Sequence, residues 1–222
     1  MAGHTCKIYF RSQAATFLRE IINRRDLRPI TLIICSTREQ FLERLIAAVR
    51  HPADRVVAVP EDQQLLAKTL GLLSKSRNTK LVFCPSVESL RAYITVLGAA
   101  TTKKLQEESQ RPLLAVLDLL ALHRSPAEFT AQGMSRTLAA MVEATCRQRV
   151  EVELCECMDS LDSEGNSRGE ALWNERVPLA NESTLSGSGD SVLKGRLVSF
   201  KKIAQRWFIF DAGNGRAVDE QQ

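Results

Sequence analysis

Short apolar runs rich in β-branched residues alternate along this chain with longer stretches of helical period, and that alternation leaves few architectures open. Ile30 to Cys35 is one continuous run and Pro112 to Leu117 another, and Lys80 to Cys84 is a short strand between them. A strand that is apolar on both sides of its pleat belongs in a parallel sheet with both faces covered. The intervening segments have the period to cover it. Within residues 12–25 the apolar positions Ala14, Phe17, Leu18, Ile21 and Ile22 fall at helical spacing. Ser36-Thr37-Arg38-Glu39 fits a capping box, followed by Phe41, Leu42, Leu45, Ile46 and Val49. Pro85-Ser86 opens a helix bearing Val87, Leu90, Ile94 and Leu97. Ser125-Pro126-Ala127-Glu128 reads as another helix start, with a capping Ser and Pro at the first helical position, for a helix to about Arg147. The expectation is an α/β fold, a mostly parallel sheet flanked by helices.

Other segments complete the plan. A short strand is expected over Arg55–Val59, a helix over 62–74 on Leu65, Leu66, Leu70 and Leu73, and a polar connection over 100–111. Val150 to Met158 is the next strand, its apolar residues interleaved with acids. Residues 159–170 are polar, Leu172 to Ala180 reads as a strand, and 181–191 are rich in Gly and Ser. Leu193–Phe200 and Arg206–Asp211 are expected to pair as a C-terminal antiparallel edge hairpin. One domain over 1–212 and a flexible tail over 213–222 follow.

A hydrophobic content of 44% with 25% charged residues is that of a globular chain able to bury a core. No apolar run is long enough to span a bilayer, and the segment from Met1 to Lys7 lacks the apolar core of a signal peptide. A cytosolic or nuclear home is expected. The six cysteines form no C-x-x-C pair, and the three histidines are far apart. Structural thiols, and neither a metal site nor a cofactor, are expected. Net charge is +4, compatible with nucleic acid without requiring it.

The strand Pro112–Leu117 runs into Asp118. In nucleotide-hydrolysing α/β proteins such an acid holds the magnesium of a triphosphate. That role needs a glycine-rich loop whose N–H groups wrap the phosphates, and no glycine lies between Gly3 and Gly71. The competing reading of Asp118 is a strand-end acid hydrogen-bonded to nearby backbone.

Leu117-Asp118-Leu119-Leu120-Ala121-Leu122-His123-Arg124, with the later helix through Met134-Ser135-Arg136, resembles the Walker B strand of eukaryotic recombinases and the segment after it. Ala171-Leu172-Trp173, Val177-Pro178-Leu179 and Gly195-Arg196-Leu197 resemble the closing strands of recombinase paralogues. The resemblance implies a RecA-like fold. Lys7-Ile8-Tyr9-Phe10 takes the place of the strand before a phosphate loop, but Arg11-Ser12-Gln13 follows where glycines and a Lys-[ST] pair are required. The family's ATPase activity is therefore not carried over. What the resemblance implies is a nuclear pseudo-ATPase like the subunits of Shu-type complexes. Such a subunit binds a recombinase paralogue or a SWIM-domain partner, a recombinase filament, and single-stranded or forked DNA weakly, in homologous recombination and DNA repair. The alternatives are a RecA-like scaffold of an Elongator-type tRNA-modification complex and a true DNA-dependent ATPase with an atypical site.

Candidate DNA contacts are Arg124, from the resemblance to a DNA-facing loop, and Lys201, Lys202 and Arg206, because nucleic-acid affinity rests on neutralising phosphate charge. Trp207 and Phe208 stand beside that cluster, where aromatic rings can stack on bases. The competing reading is an ordinary solvated surface with at least one of these rings in the core.

Overall fold

The computed structural model describes residues 6–11, 13–24, 28–50, 73–74, 76–99, 111–124, 128–157, 169–179 and 197–211. Within them, β1 (Cys6–Arg11), β2 (Ile30–Ile34), β3 (Thr79–Phe83), β4 (Leu113–Leu117), β5 (Glu151–Cys157) and β8 (Ile209–Asp211) form one sheet in the order β3-β2-β4-β5-β1-β8. Every pairing in it is parallel. The expected α/β class with a parallel sheet is what forms.

The burial of β4 shows why. All five of its residues are buried. Leu114 and Val116 meet the core under α3 (Val87–Ala99) and α5 (Ala131–Gln148), while Leu113, Ala115 and Leu117 meet the core under α1 (Ala14–Asn23) and α2 (Arg38–Arg50). Burying each such aliphatic side chain contributes about 1.5–3 kcal/mol, so a central strand apolar on both sides has no comparable alternative. On α1, Ala14, Phe17, Leu18 and Ile21 are the buried stripe, as their spacing predicts. Only two residues, 12 and 13, separate the end of β1 from the start of α1.

Several boundaries move for local reasons. The capping box is Thr37 with Gln40, one residue later than expected: the Gln40 N–H donates to Thr37 Oγ1 and the Thr37 N–H to Gln40 Oε1, both at 3.2 Å. Of the expected apolar stripe of α2, Phe41 is buried while Leu42 and Ile46 are exposed, and Arg44 joins Phe41 on the buried side. The Gly133 N–H donates to the Thr130 hydroxyl at 3.0 Å, so Thr130 caps α5, which begins at Ala131; the start expected at Ser125 falls on residues 125–127, outside the described set. The strand expected over Arg55–Val59 also lies outside it, as does most of the helix expected over 62–74, of which Leu73 and Ser74 are helical.

Near the C-terminus an antiparallel two-stranded pair does form, with one strand inside the expected Leu193–Phe200 segment and the other inside Leu172–Ala180 rather than Arg206–Asp211. α6 (Glu170–Asn174) replaces the first part of the strand read over Leu172–Ala180, and β6 (Arg176–Pro178) follows. β6 pairs antiparallel with β7 (Leu197–Ser199), Val177 opposite Val198, as a separate small sheet. α7 (Phe200–Ala204) then leads to β8, which lies parallel to β1 at the edge of the main sheet. A parallel edge strand needs a crossover rather than a tight turn, and α7 with the turn after it is the last part of the connection from β5 to β8.

Candidate functional site

In open α/β sheets ligands sit outside the carboxyl ends of strands whose connections leave to opposite faces. β2 and β4 are such neighbours here. The helix after β2 packs through Phe41 on the α1 side, and the chain after β4 packs through Leu119 and Leu120, then Met134 and Leu138, on the other. The residues at this point are Cys35 and Asp118, both buried.

Asp118 adopts a left-handed conformation with φ 60° and ψ 45°, one of the few non-glycine types that does so readily. That turn lets α4 (Leu119–Leu122) leave the end of β4 at once. It also aims the carboxylate inward. Its Oδ2 accepts from Arg44 Nη1 at 2.6 Å, and its Oδ1 accepts from the Cys157 N–H at 3.1 Å. Arg44 and Asp118 are 6% and 2% exposed, so this is a buried ion pair that ties α2 to β4 and β5. The backbone contact is the one anticipated for a strand-end acid.

Beside it lies Glu156, fully buried near the end of β5. Its Oε1 accepts from the Leu120 N–H at 2.6 Å, and its Oε2 has no hydrogen-bond partner among the described residues. Burial, and after it the charge of Asp118, hold this carboxyl well above the usual range, against the pull of the Leu120 and Ala121 N–H groups and Arg44. Cys35 is held well above the usual thiol range by burial and by Glu156 and Asp118. A thiol kept protonated is a poor nucleophile. Two acids, one guanidinium and one thiol thus form a closed, self-neutralising cluster.

A second buried group stands after α4. His123 is depressed to about 4, chiefly by burial, and so is a neutral imidazole. Its Nδ1 is 3.5 Å from the Glu128 carbonyl oxygen, and its Nε2 has no partner among the described residues. Glu128 in turn accepts from Arg91 Nη1 and Nη2 at 3.0 and 2.6 Å, and Arg91 also donates to the Gly133 carbonyl at 2.9 Å. This network locks α3 to the start of α5.

The candidate DNA contacts are placed unevenly. Arg124 is half-buried in the turn after α4. Lys201 and Lys202 lie on α7, and Arg206 lies in the turn that follows rather than at the start of a strand. Lys202 and Arg206 are exposed; Lys201 is half-buried with its ammonium 5.4 Å from the Phe210 ring centroid. Phe208 is buried and Trp207 packs against the same core, so both rings serve packing.

Arg44, Glu156 and His123 were not among the expected site residues. Arg44 had a signal: it lies three residues after Phe41, on the same side of the helix. Glu156 had another. Glu151 and Glu153 share one face of β5, and Glu156 falls on the opposite parity. A family model described as SPAC22G7.03-like matches residues 10–210. The chain belongs to that family. The matched range takes in β2, β3, β4 and β5 whole, so the Asp118–Arg44 pair lies within the SPAC22G7.03-like region. No curated protein matches the chain.

Proposed function

We propose that this chain is a non-catalytic, RecA-like subunit that assists homologous recombination and DNA repair in the nucleus by binding a protein partner and, with it, DNA. The observation that carries the non-catalytic part is the state of Asp118. Both carboxylate oxygens are engaged, one by a guanidinium that supplies the positive charge a magnesium ion would bring. The short link between β1 and α1 supports the same reading. Two residues cannot make a phosphate loop of about eight. The recombination part rests on the resemblance of Leu117–Arg124 and the segments after it to recombinase paralogues. In this reading the partner is a paralogue or a SWIM-domain protein, and Lys202 and Arg206 are the DNA-facing cations best placed to reach phosphate.

Titration calorimetry with magnesium-ATP is expected to give no saturable heat; micromolar affinity lost in Asp118→Asn would restore the ATPase alternative. Affinity capture from native cells separates the other two readings, since recombination factors and tRNA-modification factors are disjoint sets. With the partner present, Lys202→Ala and Arg206→Ala are expected to weaken binding to single-stranded DNA and each lower the salt slope by about 0.7. A preference for tRNA over DNA would instead favour the Elongator-type scaffold.

A further inference from the structure

At the other end of the sheet a cleft of about 370 Å³ is lined by Lys7, Tyr9, Arg24, Arg28, Glu151 and Glu153. It opens where β1 and β5 begin, with Lys7 opposite Glu153 in register. Neither strand is at a sheet edge, and interior strands of a parallel sheet are ordinarily apolar on both faces. Polar side chains grouped on one face there need an explanation.

The charges are arranged unequally. Arg24 grips Glu153 through both terminal nitrogens, and Arg28 pairs with Glu151. Glu153 is only 6% exposed, so its charge is held by the fold. Both carboxylates are thereby matched. Of the lining residues three are cations and two are carboxylates, and Asp211, in register with Tyr9 on β8, adds its charge from beside the lining. Lys7 is half-buried, and its ammonium makes no hydrogen bond or ion pair with the described residues. Tyr9 stands two residues on, on the same face of β1. Burial, then the Glu153 charge, push its phenol up to about 12, so it is a hydrogen-bond donor and not a nucleophile. Arg11 lies 5.4 Å from the Tyr9 ring centroid and is itself held by Glu20 at 2.8 Å.

We propose that this cleft is a binding site for a small oxyanion, a phosphate ester or a carboxylate, taken by the Lys7 ammonium and the Tyr9 hydroxyl. Among the described lining residues both carboxylates are already paired with guanidinium groups, so the Lys7 ammonium is matched to an anion rather than a cation. The volume falls in the range of small-molecule sites. The site is distinct from the Asp118 cluster and does not depend on the non-catalytic role proposed above.

The test is a titration of the full chain with inorganic phosphate and, separately, succinate, at ionic strength fixed with sodium chloride. Backbone amide shifts of Lys7, Tyr9 and Glu153 report location, and thermal midpoint reports stabilisation. One of the two anions is expected to saturate these amides, and which one tells phosphate from carboxylate chemistry. Lys7→Gln is expected to weaken that binding at least about tenfold, the measure of one charge-assisted hydrogen bond. Tyr9→Phe is expected to weaken it about threefold, and Glu151→Gln to tighten it about threefold by adding net positive charge. Should Lys7→Gln lose its dispersed amide spectrum, Tyr9→Phe decides. No saturation by either anion, or affinity unchanged in the folded variants, overturns the site.

Discussion

At the carboxyl end of the sheet the Asp118 carboxylate has Arg44 on one oxygen and the Cys157 N–H on the other. At the amino end Glu153 has Arg24 on both oxygens, yet Lys7 beside it has no described partner. The first cluster is sealed, with Arg44, Asp118 and Glu156 all buried; the second borders an open cleft. The difference separates two uses of buried charge. A sealed, matched pair fixes where α2 sits and offers a ligand nothing. An open cluster with a cation that has no described partner keeps binding energy in reserve. The usual ligand end of an α/β sheet is thus the closed one here.

The largest expected effect is at the sealed end. Arg44→Met should leave the Asp118 charge buried without its guanidinium and lower unfolding free energy in urea by about 3–5 kcal/mol. Adding Asp118→Asn, which keeps a side chain tolerant of the left-handed backbone, should recover part of that loss. A cost under about 1 kcal/mol for Arg44→Met would mean that the two ends are not different in kind.

Next in size are two pH effects of opposite sign, both at the sealed end. His123 has a folded-state value of about 4 against an ordinary 6.5. The native state prefers the neutral ring, so its contribution is full above about pH 6.5 and is lost as pH falls toward 4. Glu156 is shifted upward. The native state holds that proton more tightly, so its contribution is full below about pH 4.5 and is lost as pH rises. Each can impose a slope of at most about 1.4 kcal/mol per pH unit while it titrates. His123→Gln should flatten the acid limb of a stability–pH curve. Glu156→Gln, which resembles the protonated acid, should raise the thermal midpoint at pH 8 and change it little at pH 4. A midpoint lowered equally at both values would mean that Glu156 is ionised in the fold.

Much of this architecture was legible because period and composition agreed. In β2 and β4 both faces of the pleat are apolar, and a strand of that kind has one home. The buried stripe of α1 was readable for the same reason. What escaped were places where a tertiary contact overrides a local signal. Ser125-Pro126 offers a better helix start than Thr130, but Gly133 lies so close to the Glu128 carbonyl oxygen that a Cβ there would sit 2.5 Å from it, and this approach goes with the later cap. β8 was read as half of a hairpin because hairpins are local; its partner β1 lies some two hundred residues away in sequence. At the candidate site Asp118 was visible as an acid ending an apolar run, whereas its partner Arg44 comes from another element. Spacing along one chain does not report such pairs.

A smaller effect is expected from Arg24→Met at the amino end. Its partner Glu153 is buried, but the Arg24 side chain is 24% exposed and water can reach the vacated site. A cost of about 1–2 kcal/mol follows, less than for Arg44 and reduced in high salt. A salt-independent cost as large as that of Arg44→Met would place this cluster with the sealed one.

The smallest effect is expected from Lys7→Gln. A half-buried cation with no described partner contributes no ion pair, and it sits near two guanidinium groups that repel it. Removing its charge relieves that repulsion and loses some stem packing, two small changes of opposite sign. The unfolding free energy should move by less than about 0.5 kcal/mol, and any gain should shrink as salt screens the repulsion. Guanidinium chloride would mask this, so urea at low and at moderate salt is the measurement. A loss above about 2 kcal/mol would mean that Lys7 is already holding the fold together, and the contrast between a sealed end and an open end would fail at the residue on which it rests.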